Sequence, residues 1–144
     1  MTVYESLVIW LNSILTGLKN NFPIKAAVID LEIIPDWQEF ANAGLFSSPN
    51  DLQDELIAGQ RKYTEFKTLY LRLPFEQYQN RLKNEIFIEE FRKSIHEKFM
   101  DGLLPKDGRE WINISISSGI YPAQRQPNNQ FADYLIPLRV VYIE

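Results

Sequence analysis

Between Trp111 and Tyr142 the chain alternates apolar and polar residues twice. Ile112, Ile114 and Ile116 alternate with Asn113, Ser115 and Ser117, and further on Tyr134, Ile136, Leu138, Val140 and Tyr142 share the same period of two. Successive strand side chains point to opposite faces, so each set makes an apolar strip that has to be covered. Between them, Gly119 to Gln130 is rich in Pro, Gln and Asn. The expectation is an extended antiparallel hairpin with a long polar arm. Pro137 falls inside the second strand; proline cannot donate to a ladder, so that position is expected at an edge or a bulge, where another chain can add.

The rest of the chain must supply what covers these strips. Leu7, Leu11, Ile14, Leu15, Leu18 and Phe22 recur at helical spacing and predict a helix from about Val3 to Lys19, stopped by Asn20, Asn21 and Pro23. Val8, Ile9 and Trp10 widen its apolar face. Either both sides of this helix are buried within one domain or one side meets another subunit. Ala26 to Ile34 reads as a strand, with Ile29, Leu31 and Ile33 on one face and Asp30 and Glu32 on the other. Asp30, Glu32 and Asp36 lack the glycine turn and ligand spacing of a cation loop, which favours a solvated face over a metal site. Pro35 to Gln60 is a long connection holding Trp37, Phe40, Leu45 and Phe46, with a short helix expected at Asp51 to Ile57. Connections this long are usually functional or partly disordered, so mobility and a contact surface are expected there.

Tyr63 to Phe75 is a strand with Lys67, Leu69, Leu71 and Leu73 on one face and Phe66, Thr68, Tyr70 and Arg72 on the other. A helix from Asn84 to Asp101 follows, with Asn84 as N-cap, Ile88, Phe91, Ile95 and Phe99 as its stripe, Phe87 beside it, and Gly102 as its stop. Lys106-Asp107-Gly108-Arg109 is a turn of the Asp-Gly type. The fold class expected is α+β: an antiparallel four-stranded sheet packed against two helices, in the order α-β-β-α-β-β, with the long connection between the first two strands.

At 144 residues the chain is expected to be one domain spanning 1–144. It has no cysteine, so disulfides, thiolate metal sites and thiol nucleophiles are excluded. The N-terminus has neither a basic n-region nor a small-residue cleavage site, and no signal peptide is expected. No apolar run reaches the roughly 20 residues needed to span a bilayer. Residues 1–60 carry two basic and eight acidic residues, a net of −6, against thirteen basic and eleven acidic in 61–144, a net of +2. Such asymmetry can orient a domain against a charged neighbour, including a copy of itself. The acidic balance argues against nucleic acid as the main partner. Tyr63, Phe66, Tyr70 and Arg72 resemble a base-stacking sheet face, but cross-strand packing explains them better.

Nothing in the sequence has the spacing of a catalytic centre. The single histidine, His96, lies off the apolar stripe of its helix and is expected at the surface. Nucleophilic catalysis needs an activated nucleophile and an oriented base, and no GxSxG, P-loop, GxGxxG or HExxH supplies them. Ser115, Ser117 and Ser118 look like the polar face of a strand. No catalytic, cofactor-binding or metal-ligating residue is nominated, and the protein is not expected to be an enzyme.

The whole pattern is an N-terminal amphipathic helix, two strands, a helix ending in Leu103-Leu104-Pro105, the Trp111-Ile112-Asn113-Ile114-Ser115-Ile116 strand, the Pro/Asn/Gln arm and the closing 134–144 strand. It resembles the minor capsid or tail-terminator proteins of long-tailed bacteriophages, most specifically over residues 85–144. The resemblance implies a structural virion protein at the head–tail junction or tail end. It implies ring-forming subunits, commonly hexameric, that cap the tail tube, dock to tail-tube and connector proteins, and assemble in the bacterial host cytoplasm. It implies no cofactor, membrane or specific nucleic acid. A ring needs a heterologous contact that closes by rotation, and the residues expected at it are Trp10, Trp37, Tyr121, Arg125, Pro137 and Arg139. Two other classes stay open: a small acidic interaction module of the inhibitor or immunity type, and an enzyme built around Asp30, Glu32 and His96.

Overall fold

The computed structural model describes residues 1–18, 29–31, 42–47, 53–75, 77–125 and 131–144. Its elements run α1 (Val3–Leu18), β1 (Ile29–Leu31), β2 (Asn42–Ser47), β3 (Gln53–Ile57), β4 (Gln60–Pro74), α2 (Tyr78–Met100), β5 (Glu110–Ile116), β6 (Tyr121–Arg125) and β7 (Phe131–Ile143). The class is α+β, two helices on a sheet that is antiparallel apart from the parallel β1–β2 pair.

The expected four strands are seven among the described residues, in the order β1-β2-β4-β7-β5, with β3 also on β4 and β6 also on β7. The two long strands β4 and β7 form the centre, matched from Lys62↔Ile143 to Pro74↔Phe131. Each is flanked by two short strands laid end to end: β3 and β2 along β4, and β5 and β6 along β7. The expected helix at 51–57 is therefore β3, an edge strand closed onto β4 by a tight turn. Ala58 (φ 49°) and Gly59 (φ 82°) form that turn, and positive φ at both central residues is what a two-residue hairpin twisted like its strands requires. The segment expected as a free arm begins with β6, which is zipped to β7 with Tyr121 opposite Leu135 and Arg125 opposite Ala132.

One face of the sheet carries the core. Leu69, Leu71 and Leu73 of β4 lie beside Ile136, Tyr134 and Ala132 of β7, with Ala43 and Leu45 of β2 next to them. Leu7, Leu11, Ile14 and Leu15 of α1 and Phe87, Ile88, Phe91 and Ile95 of α2 complete the same buried cluster, so both helices cover this one face. A fully buried side chain of this size contributes about 1.5–3 kcal/mol, which makes this stack the main source of cohesion. In β5 the alternation slips. A bulge between Trp111 and Asn113 sends Trp111, Ile114 and Ile116 to the helix side and leaves Ile112 38% exposed, so the expected Ile112-Ile114-Ile116 strip is broken by the extra residue.

The helix ends have local causes. Thr2 and Glu5 form a reciprocal capping box: Glu5 N donates to Thr2 Oγ1 at 3.1 Å and Thr2 N donates to Glu5 Oε2 at 2.6 Å. These bonds hold the Glu5 carboxyl below its ordinary value. Helix α2 starts at Tyr78, and Asn84 is not its cap. Asn84 is buried inside the helix, its Nδ2 donating to Pro74 O at 2.6 Å and tying α2 to the end of β4. At the other end Gly102 (φ 70°) donates to Phe99 O and Leu103 N to Lys98 O, the paired bonds of a glycine-terminated helix. No described helix is long and apolar enough to cross a membrane.

Pro137 is not at an edge. It sits opposite Thr68 in the middle of β7, with β4 on one side. Its carbonyl accepts from Ser117 N at 2.9 Å, and a strand residue directs its N and its C=O to the same side. The missing donor therefore faces the seam where β5 ends and β6 has not begun, so the gap in the ladder falls between the two flanking strands.

Candidate assembly surface

Of the residues expected at an assembly surface, the three with described side chains are Trp10 on α1 and Pro137 and Arg139 on β7. Trp10 is buried, with Nε1 donating to Leu103 O at 2.7 Å, so the indole pins α1 to the loop after α2. It lines a cavity of about 260 Å³ with Ile9, Leu103 and Pro105. Pro137 and Arg139 lie within the central strand on the face away from the helices, Arg139 between Phe66 and Ser115. Tyr121 and Arg125 occupy the two ends of β6, and their side chains, like all of Trp37, lie outside the described residues.

Of Asp30, Glu32 and His96, only His96 has a described side chain. His96 is exposed, as expected, on α2. Glu32 and Asp36 lie outside the described residues, and no group of metal-ligating side chains gathers among those described. The aromatic-basic face divides in two. Tyr63 is on the helix side, stacked on Tyr142 with ring centres 5.3 Å apart. Tyr70 meets Phe46 edge-on at 5.0 Å on the other face. Arg72 is held by Asp133 through two bonds of 2.8 and 3.1 Å, so its guanidinium is committed to the protein.

A polar clamp at the end of the core was not foreseen beyond its turn. The Asp107 carboxylate receives Ser6 Oγ at 2.5 Å, Trp111 Nε1 at 2.8 Å, Arg109 N at 3.0 Å and Arg109 Nη1 at 2.5 Å. It thereby joins α1, the loop after α2 and β5. Burial alone would raise this carboxyl, but the bonds from Ser6, Trp111 and Arg109 outweigh it and hold the group well below the ordinary 3.8. Beside it, burial, reinforced by the nearby Glu65 carboxylate, pushes the Tyr142 hydroxyl well above its ordinary 10.0. Glu65 pairs with buried Lys67 at 3.3 Å, and Lys67 Nζ lies 4.2 Å from the centre of the Tyr4 ring. These groups sit between α1 and the sheet and hold the two together.

What remains open is at the two sides of the sheet. On one side, β3 is paired only to β4 among the described strands. Leu56 and Ile57 there are 68% and 44% exposed. Its acids are partly met by cross-strand neighbours, Asp54 by Arg61 at 3.1 Å and Glu55 by Lys62 at 3.3 Å. On the other side β5 ends the strand order. α2 overhangs it, leaving a cavity of about 470 Å³ lined by Arg92, Ile95, His96 and Phe99 from the helix and by residues 113–116 from the strand. Arg92 and His96 are exposed and have no ion-pair partner among the described residues. Long exposed edges are normally blunted or covered because they template strand addition. Here one edge has protruding aliphatic side chains and the other has an aliphatic recess with a basic rim. Compared with protein-family models and with characterised proteins, the chain matches none.

Proposed function

We propose that the protein is a structural subunit of a long-tailed bacteriophage virion, of the minor capsid or tail-terminator kind. In this reading it closes into a ring on the tail tube at the head–tail junction or tail end and mediates head–tail joining. The observation that carries the reading is that β3 and β5, unlike in their side chains, are edges at opposite sides of one sheet among the described strands. A two-fold dimer buries like against like, whereas unlike surfaces on opposite sides favour a head-to-tail contact, which closes into a ring when the rotation allows. Partners are then further copies of the chain, the tail-tube protein and the connector, and no cofactor is invoked. The protein works in the virion after assembly in the host cytoplasm.

The test is genetic and visual. Disrupting the gene in its phage is expected to leave filled heads and tails unjoined, and added purified protein is expected to restore joining. Negative-stain images should place rings of the protein at tube ends. Normal joining without the protein, or tube ends that never bind it, rejects the reading. Tight salt-sensitive binding to a single basic host protein instead would point to the acidic interaction module.

A further inference from the structure

We infer that the sheet continues from copy to copy: β3 of one copy adds antiparallel to β5 of the next, with Leu56 entering the recess beneath α2 and Asp54 meeting Arg92 and His96. The inference rests on the ring reading and deepens it by assigning the contact.

Four facts of register carry it. First, β3, β4, β7 and β5 lie side by side at one level, through Asp54↔Tyr63, Tyr63↔Tyr142 and Tyr142↔Trp111. All three pairings are antiparallel, so within one copy β3 and β5 run in opposite directions. A neighbour placed beside β5 in the same orientation therefore presents its β3 antiparallel, the more stable pairing.

Second, the backbone phases agree. In a two-residue hairpin the residues flanking the turn exchange hydrogen bonds, here Ile57 and Gln60. Bonding to β4 then alternates back through Glu55, which leaves the N–H and C=O of Leu56 and Asp54 directed away from β4. On β5, Ser117 N bonds to Pro137 O, so Ser115 and Asn113 face β7 while Ile116 and Ile114 direct their backbone groups outward. The free groups of Asp54 and Leu56 can therefore exchange bonds with those of Ile116 and Ile114.

Third, the side chains agree. Asp54 and Leu56 are opposite Tyr63 and Arg61 on the helix side of β4, and Ile114 is opposite Val140 on the helix side of β7. Directly opposed residues in a sheet share a face. The added Asp54 and Leu56 thus point under the neighbour's α2, where Ile95 and Phe99 receive the aliphatic chain and Arg92 and His96 the carboxylate. Fourth, Asp54 uses only Oδ2 toward its own Arg61, leaving Oδ1 for a second cation.

Because the chain contains no cysteine, the pairing can be trapped cleanly. If Asp54 faces Ile116 and Leu56 faces Ile114, then Glu55 faces Ser115 on the opposite side of the sheet, at a non-hydrogen-bonded site where Cβ atoms approach closest. Oxidising the Glu55→Cys/Ser115→Cys double variant, free at high concentration and on tail tubes, is expected to give a ladder of covalent oligomers ending at a closed ring. Neither single variant should give more than a trace of dimer. Adding Leu56→Pro is expected to abolish the ladder with only a small change in the melting temperature, since no described residue accepts from that N–H in the monomer. Rings without cross-links would overturn the pairing and leave the ring reading intact, whereas a ladder from a protein that ignores tube ends would do the reverse. Covalent dimers from either single variant, which mean like edges meeting, or no assembly and no cross-link under either condition, would also overturn the pairing.

Discussion

Replacing Asp107 by Asn keeps the shape of the clamp and removes its charge, so the outcome tests whether the carboxylate holds α1 to the sheet. The side chain is 1% exposed and its Arg109 partner 15% exposed, so the pair behaves as buried rather than as a surface bridge. Removing one partner of a buried, hydrogen-bonded ion pair costs about 3–5 kcal/mol. At roughly 3 °C per kcal/mol for a chain of this length, the melting temperature should fall by about 9–15 °C. The Asn amide oxygen can keep the bonds from Trp111 Nε1 and the Arg109 amide, but its NH2 then faces Ser6 Oγ and Arg109 Nη1, and the guanidinium cannot accept. Ser6→Ala, which leaves three of the four donor bonds in place, should cost only about 0.5–1.5 kcal/mol, and its effect should shrink in the Asp107→Asn background because the two share one network. The pH dependence has a fixed sign. The folded-state value of Asp107 lies below the ordinary 3.8, so its contribution is whole above that value and is lost as pH falls through the lower, folded value. Thermal melts from neutral pH to strong acid should show wild type and variant converging only on the acid side. A loss under about 3 °C at neutral pH, or curves that stay parallel into acid, refutes the clamp.

Other expectations follow from single contacts. Because burial raises the Tyr142 hydroxyl in the fold, wild type should lose stability as pH rises above about 10 and Tyr142→Phe, which has no hydroxyl to ionise, should lose less, read from alkaline melts. Ala58→Asn puts a residue suited to positive φ at φ 49° and should raise stability by about 1 kcal/mol in denaturant titration. Asn84→Ala frees the Pro74 carbonyl inside the core and should cost about 1–3 kcal/mol, with hydrogen exchange rising first where β4 meets α2.

Much of the fold was legible because half-buried strands alternate strictly. The facing sets Leu69, Leu71, Leu73 and Tyr134, Ile136, Leu138 define β4 and β7, and the stripes of both helices identify what covers them. The Gly102 stop and the Asp107-Gly108 turn were equally visible, whereas the capping box at Thr2 and Glu5 came only from the structure. What escaped depended on partners far away. Gln53–Ile57 has an acidic, helix-compatible composition, and only pairing with β4 makes it a strand. The first turns of α2 carry exposed Tyr78 and Leu82, so no apolar stripe announces them. Pro137 misled because a missing donor is tolerable at an edge and equally at a seam. The Asp107 clamp joins residues 101 apart. The open sides of the sheet follow from strand order, which alternation alone does not contain.

The long β4–β7 ladder has a consequence for how the protein is made. Its rungs join Pro74 to Phe131 at the near end and Lys62 to Ile143 at the far end, and chains dominated by such distant pairings fold slowly. Until Phe131–Ile143 has been synthesised and released, the Leu69, Leu71 and Leu73 strip has no neighbour on that side. Nascent chains should be prone to clump during that interval, and lowering the growth temperature should improve recovery more than any adjustment of the purified protein's buffer.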